Sequence, residues 1–397
     1  MINMGDWEMS MQKYLANLVL TQLKGGKPNN IPDNIEVEKI FDIAGRGHMN
    51  YMLLGPLLNT DNFPEEKINE ARYKVQSSIL ITLAQVTELK RLVEAFEEAG
   101  IRNLPMKGSC MKYMYPSPEM REMSDIDILV DDNMMEKAGK VMTELGYKLA
   151  QSVKHHDVYF KGVSLVIEVH RSMYDKTVDG TQYDYFKSFD RAILKEGQKY
   201  TYELGKEDFY VYMIAHMAKH FFATGCGIRN LVDVYIYLEK YGNDMDRNYL
   251  NKELKKCGIY EFAVNVEELA YIWLGGKKGS QFYDELFQYM VDCGIYGKNE
   301  NGIWHKFAEE KQNDKKLTRF QLKKWYYFPP LFYMAEYYPW LEKFPFLLPV
   351  AWCIRACRGV FMKEGTQKRE MLKVIDGDKA KTYQNIYKRM KLKFKHK

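Results

Sequence analysis

The pattern of hydrophobic positions predicts a helical N-terminal region followed by one long amphipathic helix. Apolar residues recur at helical spacing over residues 6–23 and 37–58, with a polar, glycine-containing break between the two segments. Residues 65–99 have the pattern of a single amphipathic helix that Gly100 ends. A strand predicted at residues 101–106 follows directly, so we expect this helix and strand to form the entrance to a sheet.

A second strand is predicted at residues 125–130, where aliphatic residues alternate with two aspartates. Side chains alternate faces along a strand, so Asp125 and Asp127 project from one face while the aliphatic residues enter the core. Neighbouring carboxylates repel each other unless a cation lies between them. Two carboxylates at this spacing can converge on a pair of metal ions about 3.5–4 Å apart, and their oxygen atoms favour Mg²⁺.

A third acidic residue stands in an apolar segment about forty residues further on. Alternation over residues 163–170 puts Glu168 and His170 on the same face of a strand. A glutamate in such a segment is costly to bury without a partner. The preceding residues 157–161 and Gly162 predict a hairpin, because glycine accepts a positive φ at the turn.

The predicted element order is typical of an α+β fold with a mixed sheet and packed helices. A helix at residues 134–146 and a strand at 147–152 continue the sheet region, and the pattern is then helical at residues 208–224, 229–241, 260–274 and 281–293. We predict four parts. They are an N-terminal helical region at residues 1–65, a catalytic domain at 66–200, a helical domain at 201–345 and a C-terminal helical segment at 346–397.

Composition adds limits to this picture. A chain of 397 residues has room for two or three domains, and a net charge of +5 gives no general basic surface for nucleic acid. Six scattered cysteines without close spacing favour reduced thiols and a cytoplasmic protein. We predict no signal peptide and no transmembrane segment, since the longest apolar stretch, residues 344–353, is short and contains two prolines.

A turn between the first strand and a short helix carries small and basic residues. Lys107, Gly108 and Ser109 stand at this strand-to-helix junction. Glycine lets backbone approach closely, so amide groups and the serine hydroxyl there can contact phosphate oxygens. Lys-Gly-Ser alone is a weak signal, but it becomes specific when it precedes the Asp-x-Asp strand and a strand-borne glutamate.

Together these residues resemble the polymerase-β-like nucleotidyltransferase superfamily, whose signature is a Gly-Ser turn, an Asp-x-Asp strand and a third acidic residue on a neighbouring strand. The chain is also similar to a bacterial family of largely uncharacterised nucleotidyltransferases. Its motifs are Lys-Gly, Tyr-Pro-x-Pro-x-x-Arg, Asp-Ile-Asp-Ile-Leu-Val and Ile-Glu-x-His, which stand here at residues 107–108, 115–121, 125–130 and 167–170. One departure is the wide gap before Asp125, which a Tyr-Pro-Ser-Pro insertion fills.

The resemblance implies an enzyme that transfers a nucleoside monophosphate from an NTP to an acceptor hydroxyl and releases pyrophosphate. Asp125, Asp127 and Glu168 would ligate two Mg²⁺ ions, with Mn²⁺ as the alternative, and Glu168 would also act as a base. Gly108 and Ser109 would hold phosphates. Further positive charge would come from the basic residues Lys107, Lys112 and Arg121. Arg121 has a second interpretation, as the ion-pair partner of Asp125.

Three histidines and an arginine are candidates for acceptor contacts or for structural roles. His170 can orient Glu168 or touch the acceptor. His216 and His220 share one helix face, which suits acceptor or nucleotide contact, helix packing, or zinc, although no third zinc ligand is evident. Arg229 and Asp233 are four residues apart and are predicted to form an ion pair on one helix face.

Two other functions remain open from the sequence. The same fold could bind nucleotide without turnover or act as an antitoxin-like partner. The second alternative is a nucleic-acid-binding protein led by the tail at residues 379–397, which carries eight basic residues and no acid. That tail is also compatible with a plain solvated helix, or with attraction to an anionic membrane surface.

Overall fold

The computed structural model describes most of the chain, namely residues 4–153, 155–162, 165–175, 180–297, 327–331, 338–361 and 377–392, with Lys324, Met334 and Ala335. It confirms the predicted α+β class, since a mixed five-stranded sheet is packed with helices. Within the described residues, no helix combines the length and the apolar character that crossing a membrane requires.

The N-terminal region contains three helices where the sequence predicted two. They are α1 (Met4–Lys24), α2 (Val37–Gly47) and α3 (Asn50–Leu57). The segment at residues 37–58, where apolar residues recur at helical spacing, is helical but divided in two, because His48 adopts a left-handed backbone conformation with φ 49° and ends α2. The long helix was predicted correctly: after a 3₁₀ turn it runs as α4 (Ile68–Glu98), and Gly100 follows with φ 65°.

The central sheet has the strand order β1-β2-β5-β4-β3. Strands β2 and β5 are parallel, and the other neighbours are antiparallel. Two helices connect its strands, α5 after β1 and α6 after β2. The bounds in chain order are β1 (Asn103–Pro105), α5 (Gly108–Met111), β2 (Ile126–Val130), α6 (Met135–Glu144), β3 (Lys148–Ser152), β4 (His156–Lys161) and β5 (Leu165–His170).

Strand register brings the polar residues of the sheet together. The parallel pairing sets Asp127 beside Glu168, although the two are far apart in sequence. The predicted hairpin is confirmed, with Gly162 at φ 64° in the turn between β4 and β5. Its register sets His156 directly opposite His170, so three adjacent strands contribute polar side chains to one face.

The remaining elements are mostly helical, as predicted. Helices at the four predicted positions are confirmed, but α10 was missed because it buries few apolar residues. The elements are α7 (Gly180–Tyr185), β6 (Ala192–Leu194), β7 (Tyr202–Leu204), α8 (Lys206–Ala223), α9 (Arg229–Tyr241), α10 (Arg247–Lys256), α11 (Tyr260–Trp273), α12 (Gln281–Cys293), α13 (Leu348–Phe361) and α14 (Gly377–Met390).

Buried apolar residues form two clusters. The larger one joins the N-terminal helices to helices α8–α12, and the smaller one lies between α4, α6 and the sheet. Helix α14 of the basic tail buries Ile386, Tyr387 and Met390 in the larger cluster, so its described part is docked rather than frayed. The last basic residues, 393–397, lie outside the described residues. The four-part domain division stays a prediction.

Candidate active site

Three carboxylates meet where β2 and β5 run side by side. Asp125 directly precedes β2, Asp127 lies within it, and Glu168 lies on β5 opposite Asp127. One oxygen atom from each of the three carboxylates can be chosen so that all lie within 4.8 Å of one another. Ligands on opposite sides of a Mg²⁺ ion are about 4.2 Å apart. The spacing therefore fits shared ligation of a divalent cation.

Lys107 is the cation closest to this group. Its Nζ atom lies 2.5 Å from Asp127 Oδ1. Burial lowers the pKa of Lys107, but the attraction of Asp127 and Asp125 outweighs it, so the pKa lies above its ordinary value. Lys107 also has φ 50° and ψ −127°, a conformation that favours glycine. Such backbone strain is retained mainly at functional sites.

His170 connects two of the carboxylates. Its Nε2 atom lies 2.8 Å from Asp127 Oδ1 and 3.2 Å from Glu168 Oε2. Burial raises the pKa of Asp127, but Lys107 and His170 together hold it well below the usual range. Burial likewise raises the pKa of Glu168, and the hydrogen bond with His170 reverses the sign of the shift. Both carboxylates are therefore ionised at neutral pH.

Asp125 has the opposite character. Burial and the charge of Asp127 raise the pKa of Asp125 to about 7. Its negative charge is therefore not neutralised by the side chains around it. The cluster therefore has more negative carboxylate charge than positive side-chain charge. A divalent metal ion fits it, because such an ion favours oxygen ligands and offsets the repulsion between the carboxylates.

A cavity of about 350 Å³ opens in front of the carboxylates. The turn after β1 and the start of β2 form one wall, and helices α8 and α9 form the other. Most of the candidate site residues line this cavity, namely Lys107, Gly108, Arg121, Asp125, Asp127, Glu168, His216, His220 and Arg229. The cavity is large enough for part of a nucleotide beside the carboxylates.

The Gly-Ser turn contributes unequally to the cavity. Gly108 lines it, and a Cβ atom at this position would lie 2.6 Å from Arg121 Nη1, so a larger residue would displace the Arg121 guanidinium. Ser109 is not among the lining residues; it is buried, and its amide donates to the Met106 carbonyl oxygen. The Ser109 hydroxyl has no hydrogen-bond partner among the described residues. Phosphate contact by Ser109 thus stays a prediction that would require local rearrangement.

Arg121 is held by Asp233, not by Asp125. Its Nη2 lies 2.8 Å from Asp233 Oδ2 and its Nε donates to Asp233 Oδ1 at 3.2 Å. Tyr115 donates to the same carboxylate at 2.7 Å. The two sequence-based interpretations that paired Arg121 with Asp125 and Arg229 with Asp233 are therefore corrected, because α9 brings Asp233 to the inserted segment.

Arg229 and Lys112 lie close to Arg121. Arg229 Nη1 donates to the Glu122 carbonyl oxygen at 2.7 Å, while its buried Nε has no partner among the described residues. Burial and repulsion from Arg121 lower the pKa of Arg229 to about 10. Lys112 is fully buried, does not line the cavity, and has no hydrogen-bond partner for its ammonium group in the described structure. Arg229 is thus the better placed of the two to meet an anion.

His216 and His220 line the cavity from α8. Their Nε2 atoms are 3.1 Å apart, so one ring donates to the other. Burial, with positive charge nearby, lowers the pKa of His220 to about 4, and burial places that of His216 well below its ordinary value. Both rings are neutral at pH 7 and can accept a proton or a hydrogen bond. This placement favours acceptor or nucleotide contact over simple helix packing.

One residue of this region escaped the sequence reasoning. His156, at the start of β4, has its Nε2 3.8 Å from Glu168 Oε1. The signal was available, because pairing across the predicted Gly162 turn brings residue 156 opposite His170. The His155-His156 doublet precedes the apolar part of the strand, so alternation alone does not single it out.

Comparison with known proteins identifies the family of this chain. The model of a family described as "Uncharacterised nucleotidyltransferase" matches residues 33–275, more than half of the chain. A solved structure with some similarity is that of the antibiotic-resistance factor ANT(2'')-Ia, with 9% identity and a TM-score of 0.26 over 49% of this chain and 91% of that chain. At this level the similarity carries no argument. A search of curated proteins gives no match. The family match shows that this chain belongs to the uncharacterised nucleotidyltransferases.

Proposed function

We propose that the protein transfers a nucleoside monophosphate from an NTP to an acceptor hydroxyl, with divalent cations at Asp125, Asp127 and Glu168. The observation that carries this proposal is the meeting of the three carboxylates within 4.8 Å at the wall of a cavity of about 350 Å³. The cations, when bound, supply charge neutralisation of the phosphates and a lower pKa for the attacking hydroxyl.

The residues of the chain have separate tasks in this reaction. Asp125 and Asp127 would hold the cations, and the charge of Lys107 keeps Asp127 ionised. Arg229 and the Gly108 backbone line the space beside the carboxylates and are suited to the phosphate oxygens. Their positive charge and dipoles stabilise the transferring group, which is most of the catalytic task in phosphoryl chemistry.

The acceptor hydroxyl oxygen attacks the α-phosphorus in line with the departing group. A new oxygen–phosphorus bond forms, the bond to the β-phosphate oxygen breaks, and pyrophosphate leaves with the bonding electron pair. The hydroxyl proton passes to the Glu168 carboxylate, which is ionised because its pKa is lowered. His216 and His220 line the cavity as neutral rings and are available for hydrogen bonds to the acceptor.

The test is transfer of label from each α-³²P NTP with Mg²⁺ into fractionated metabolites. Asp127→Asn is expected to lower transfer at least about 100-fold, since a lost metal ligand removes several kcal/mol of transition-state stabilisation. Asp131→Asn is the matched control: this carboxylate follows the same strand but pairs with Arg102 at 3.5 Å, and it should leave transfer unchanged.

Two results would contradict the proposal. Tight NTP binding with Mg²⁺ and no label transfer to any fraction would favour a non-catalytic nucleotide-binding protein. Equal transfer by the wild type and Asp127→Asn would remove the carboxylates from the chemistry. Calorimetric titration of each NTP in the same preparations distinguishes a binding defect from a chemical one.

A further inference from the structure

Two histidines lie behind the carboxylate cluster on neighbouring strands. His156 begins β4 and His170 ends β5, and antiparallel pairing sets them directly opposite each other. Their ring centroids are 5.0 Å apart. Both project on the sheet face that carries Asp127 and Glu168, so four potential ligands from three adjacent strands surround one small space.

The atoms of this group lie close enough for small side-chain shifts to bring them around a single ion. His170 Nε2 lies 2.8 Å from Asp127 Oδ1 and 3.2 Å from Glu168 Oε2, and His156 Nε2 lies 3.8 Å from Glu168 Oε1. Ligand atoms bound about 2.0–2.2 Å from a transition metal are about 2.9–3.5 Å from their neighbours. One atom from each of His156, Glu168 and His170 can be chosen so that all lie within 4.8 Å of one another.

We propose that His156 and His170 ligate one of the divalent cations together with Glu168 and Asp127, so that this centre has mixed nitrogen and oxygen ligands. It therefore takes a first-row transition ion in preference to Mg²⁺. This inference rests on the proposed function, because the same carboxylates serve both. Mg²⁺ favours all-oxygen sites, whereas imidazole nitrogen suits the transition ions.

Charge and hydrogen bonding support ligation over a purely orienting role. The carboxylates Asp125, Asp127 and Glu168 face one close cation, Lys107, which leaves an excess of two negative charges once all three carboxylates are ionised and the histidines are neutral. One divalent ion balances that excess. The Nδ1 atoms of both His156 and His170 are buried without a hydrogen-bond partner among the described residues. The Nε2 atom of each ring is the one that lies near the Glu168 carboxylate, so it is the nitrogen available to an ion there.

The experiment uses the full-length protein with substoichiometric Mn²⁺ and no nucleotide. Pulsed electron paramagnetic resonance then detects coupling from ¹⁴N nuclei bound to Mn²⁺. We expect imidazole ¹⁴N coupling in the wild type, weaker coupling in His156→Ala, and none in His156→Ala with His170→Ala. Competition with Mg²⁺ should show that His156→Ala lowers the preference for Mn²⁺ by at least about tenfold.

The control is His155→Ala. The His155 ring packs 4.3 Å from His156, but its Nδ1 lies 3.4 Å from Asp175 Oδ2, and it is not part of the ligand group. The ¹⁴N coupling should persist in this variant. If His155→Ala weakens the signal as much as His156→Ala does, the proposed ligand set is wrong.

The wild-type spectrum alone can overturn the inference, whether or not a variant folds. Bound Mn²⁺ without ¹⁴N coupling would show an all-oxygen site and reject histidine ligation, while the proposed nucleotidyl transfer would stand. Coupling that is unchanged in a folded His156→Ala variant would likewise reject His156 as a ligand. Failure to bind Mn²⁺ at all, together with no NTP-dependent label transfer, would reject both proposals.

Discussion

Lys107 combines a strained backbone with a charge at the centre of the candidate site. Its φ of 50° lies in the region that L-amino acids with side chains rarely adopt, and its ammonium group lies 2.5 Å from Asp127 Oδ1. The ammonium group therefore stabilises the ionised form of Asp127, while the backbone conformation of Lys107 has an energetic cost. Such strain costs about 1–3 kcal/mol, which the surrounding structure must offset.

Two substitutions at Lys107 separate the backbone from the charge. Both Lys107→Ala and Lys107→Gly remove the partner of Asp127, so both should lose nucleotidyl transfer. Glycine accepts the left-handed conformation without strain. The free energy of unfolding of Lys107→Gly should therefore exceed that of Lys107→Ala by about 1 kcal/mol or more, as measured by urea denaturation. Equal stabilities would show that this conformation carries no strain.

Lys112 is a buried cation with a measurable pH signature. Burial, with Arg121 and Arg229 nearby, lowers the pKa of Lys112 to about 7. An unfolded lysine has a pKa of about 10.4, so between pH 7 and 10 the unfolded chain binds a proton that the folded chain lacks. Stability from this group therefore rises with pH across that window and is lost as pH falls toward 7.

Replacement of Lys112 by methionine should remove this pH dependence. Between pH 7 and 9.5 the wild type should gain up to about 3 kcal/mol of unfolding free energy relative to Lys112→Met. Lys112→Met should also be the more stable protein at pH 7. Urea denaturation at both pH values measures this. Parallel pH profiles would mean that Lys112 keeps its ordinary pKa in the folded protein.

At the scale of secondary structure, alternation and helical spacing located most elements because burial follows both periods. Helix α9 and helix α12 begin and end where the pattern placed them. Helix α10 escaped because Leu250 and Leu254 are its only buried apolar residues, although Asp246 caps its N-terminus. The break at His48 was not predicted for the opposite reason. Apolar spacing continues across it, and only the backbone conformation differs there.

The residues of the candidate site that lie on strands were predictable from the sequence. The contacts between side chains from distant parts of the chain were not. Local alternation predicts the Asp-x-Asp strand and the strand that carries Glu168. The carboxylates of the two strands meet because the strands are neighbours in the sheet. The partnership of Arg121 with Asp233 joins residues 112 positions apart and depends on how α9 packs. No local pattern contains that information, so the sequence offered Asp125 and Arg229 as plausible but incorrect partners.

The β4–β5 hairpin sets the register behind Glu168, and Gly162 controls its turn. Gly162 has φ 64°, and an added Cβ would have no atom of the described residues within 4 Å, so backbone strain is the expected effect of a substitution. Gly162→Ala should lower the free energy of unfolding by about 1 kcal/mol. Gly45→Ala is the control: it also has open space but lies in α2 without a positive φ, and it should not destabilise. Thermal or urea denaturation of both variants makes the comparison.

At the scale of the whole molecule, the segment at residues 115–124, which begins with the Tyr-Pro-Ser-Pro insertion, connects three parts of the fold. Glu122 accepts hydrogen bonds from the Tyr51 amide and Asn50 Nδ2 at the start of α3. The Met123 carbonyl oxygen accepts from Gln85 of α4 at 3.0 Å. Arg121 pairs with Asp233 of α9 and packs against Gly108. The segment that precedes Asp125 thus joins the helical regions to the turn after β1.

Removal of one partner of the buried Arg121–Asp233 pair should therefore be strongly destabilising. Asp233→Ala leaves the Arg121 guanidinium and the Tyr115 hydroxyl without their shared carboxylate, and we expect a loss of about 3–5 kcal/mol in unfolding free energy. Arg121→Met with Asp233→Leu should recover most of that loss, because no charge is then left buried. Glu136→Ala, which breaks the exposed pair with Lys140, should cost less than about 1 kcal/mol. Urea denaturation of all three variants measures these losses in unfolding free energy. A loss for Asp233→Ala as small as that for Glu136→Ala would show that α9 and the segment at residues 115–124 are held together by apolar packing alone.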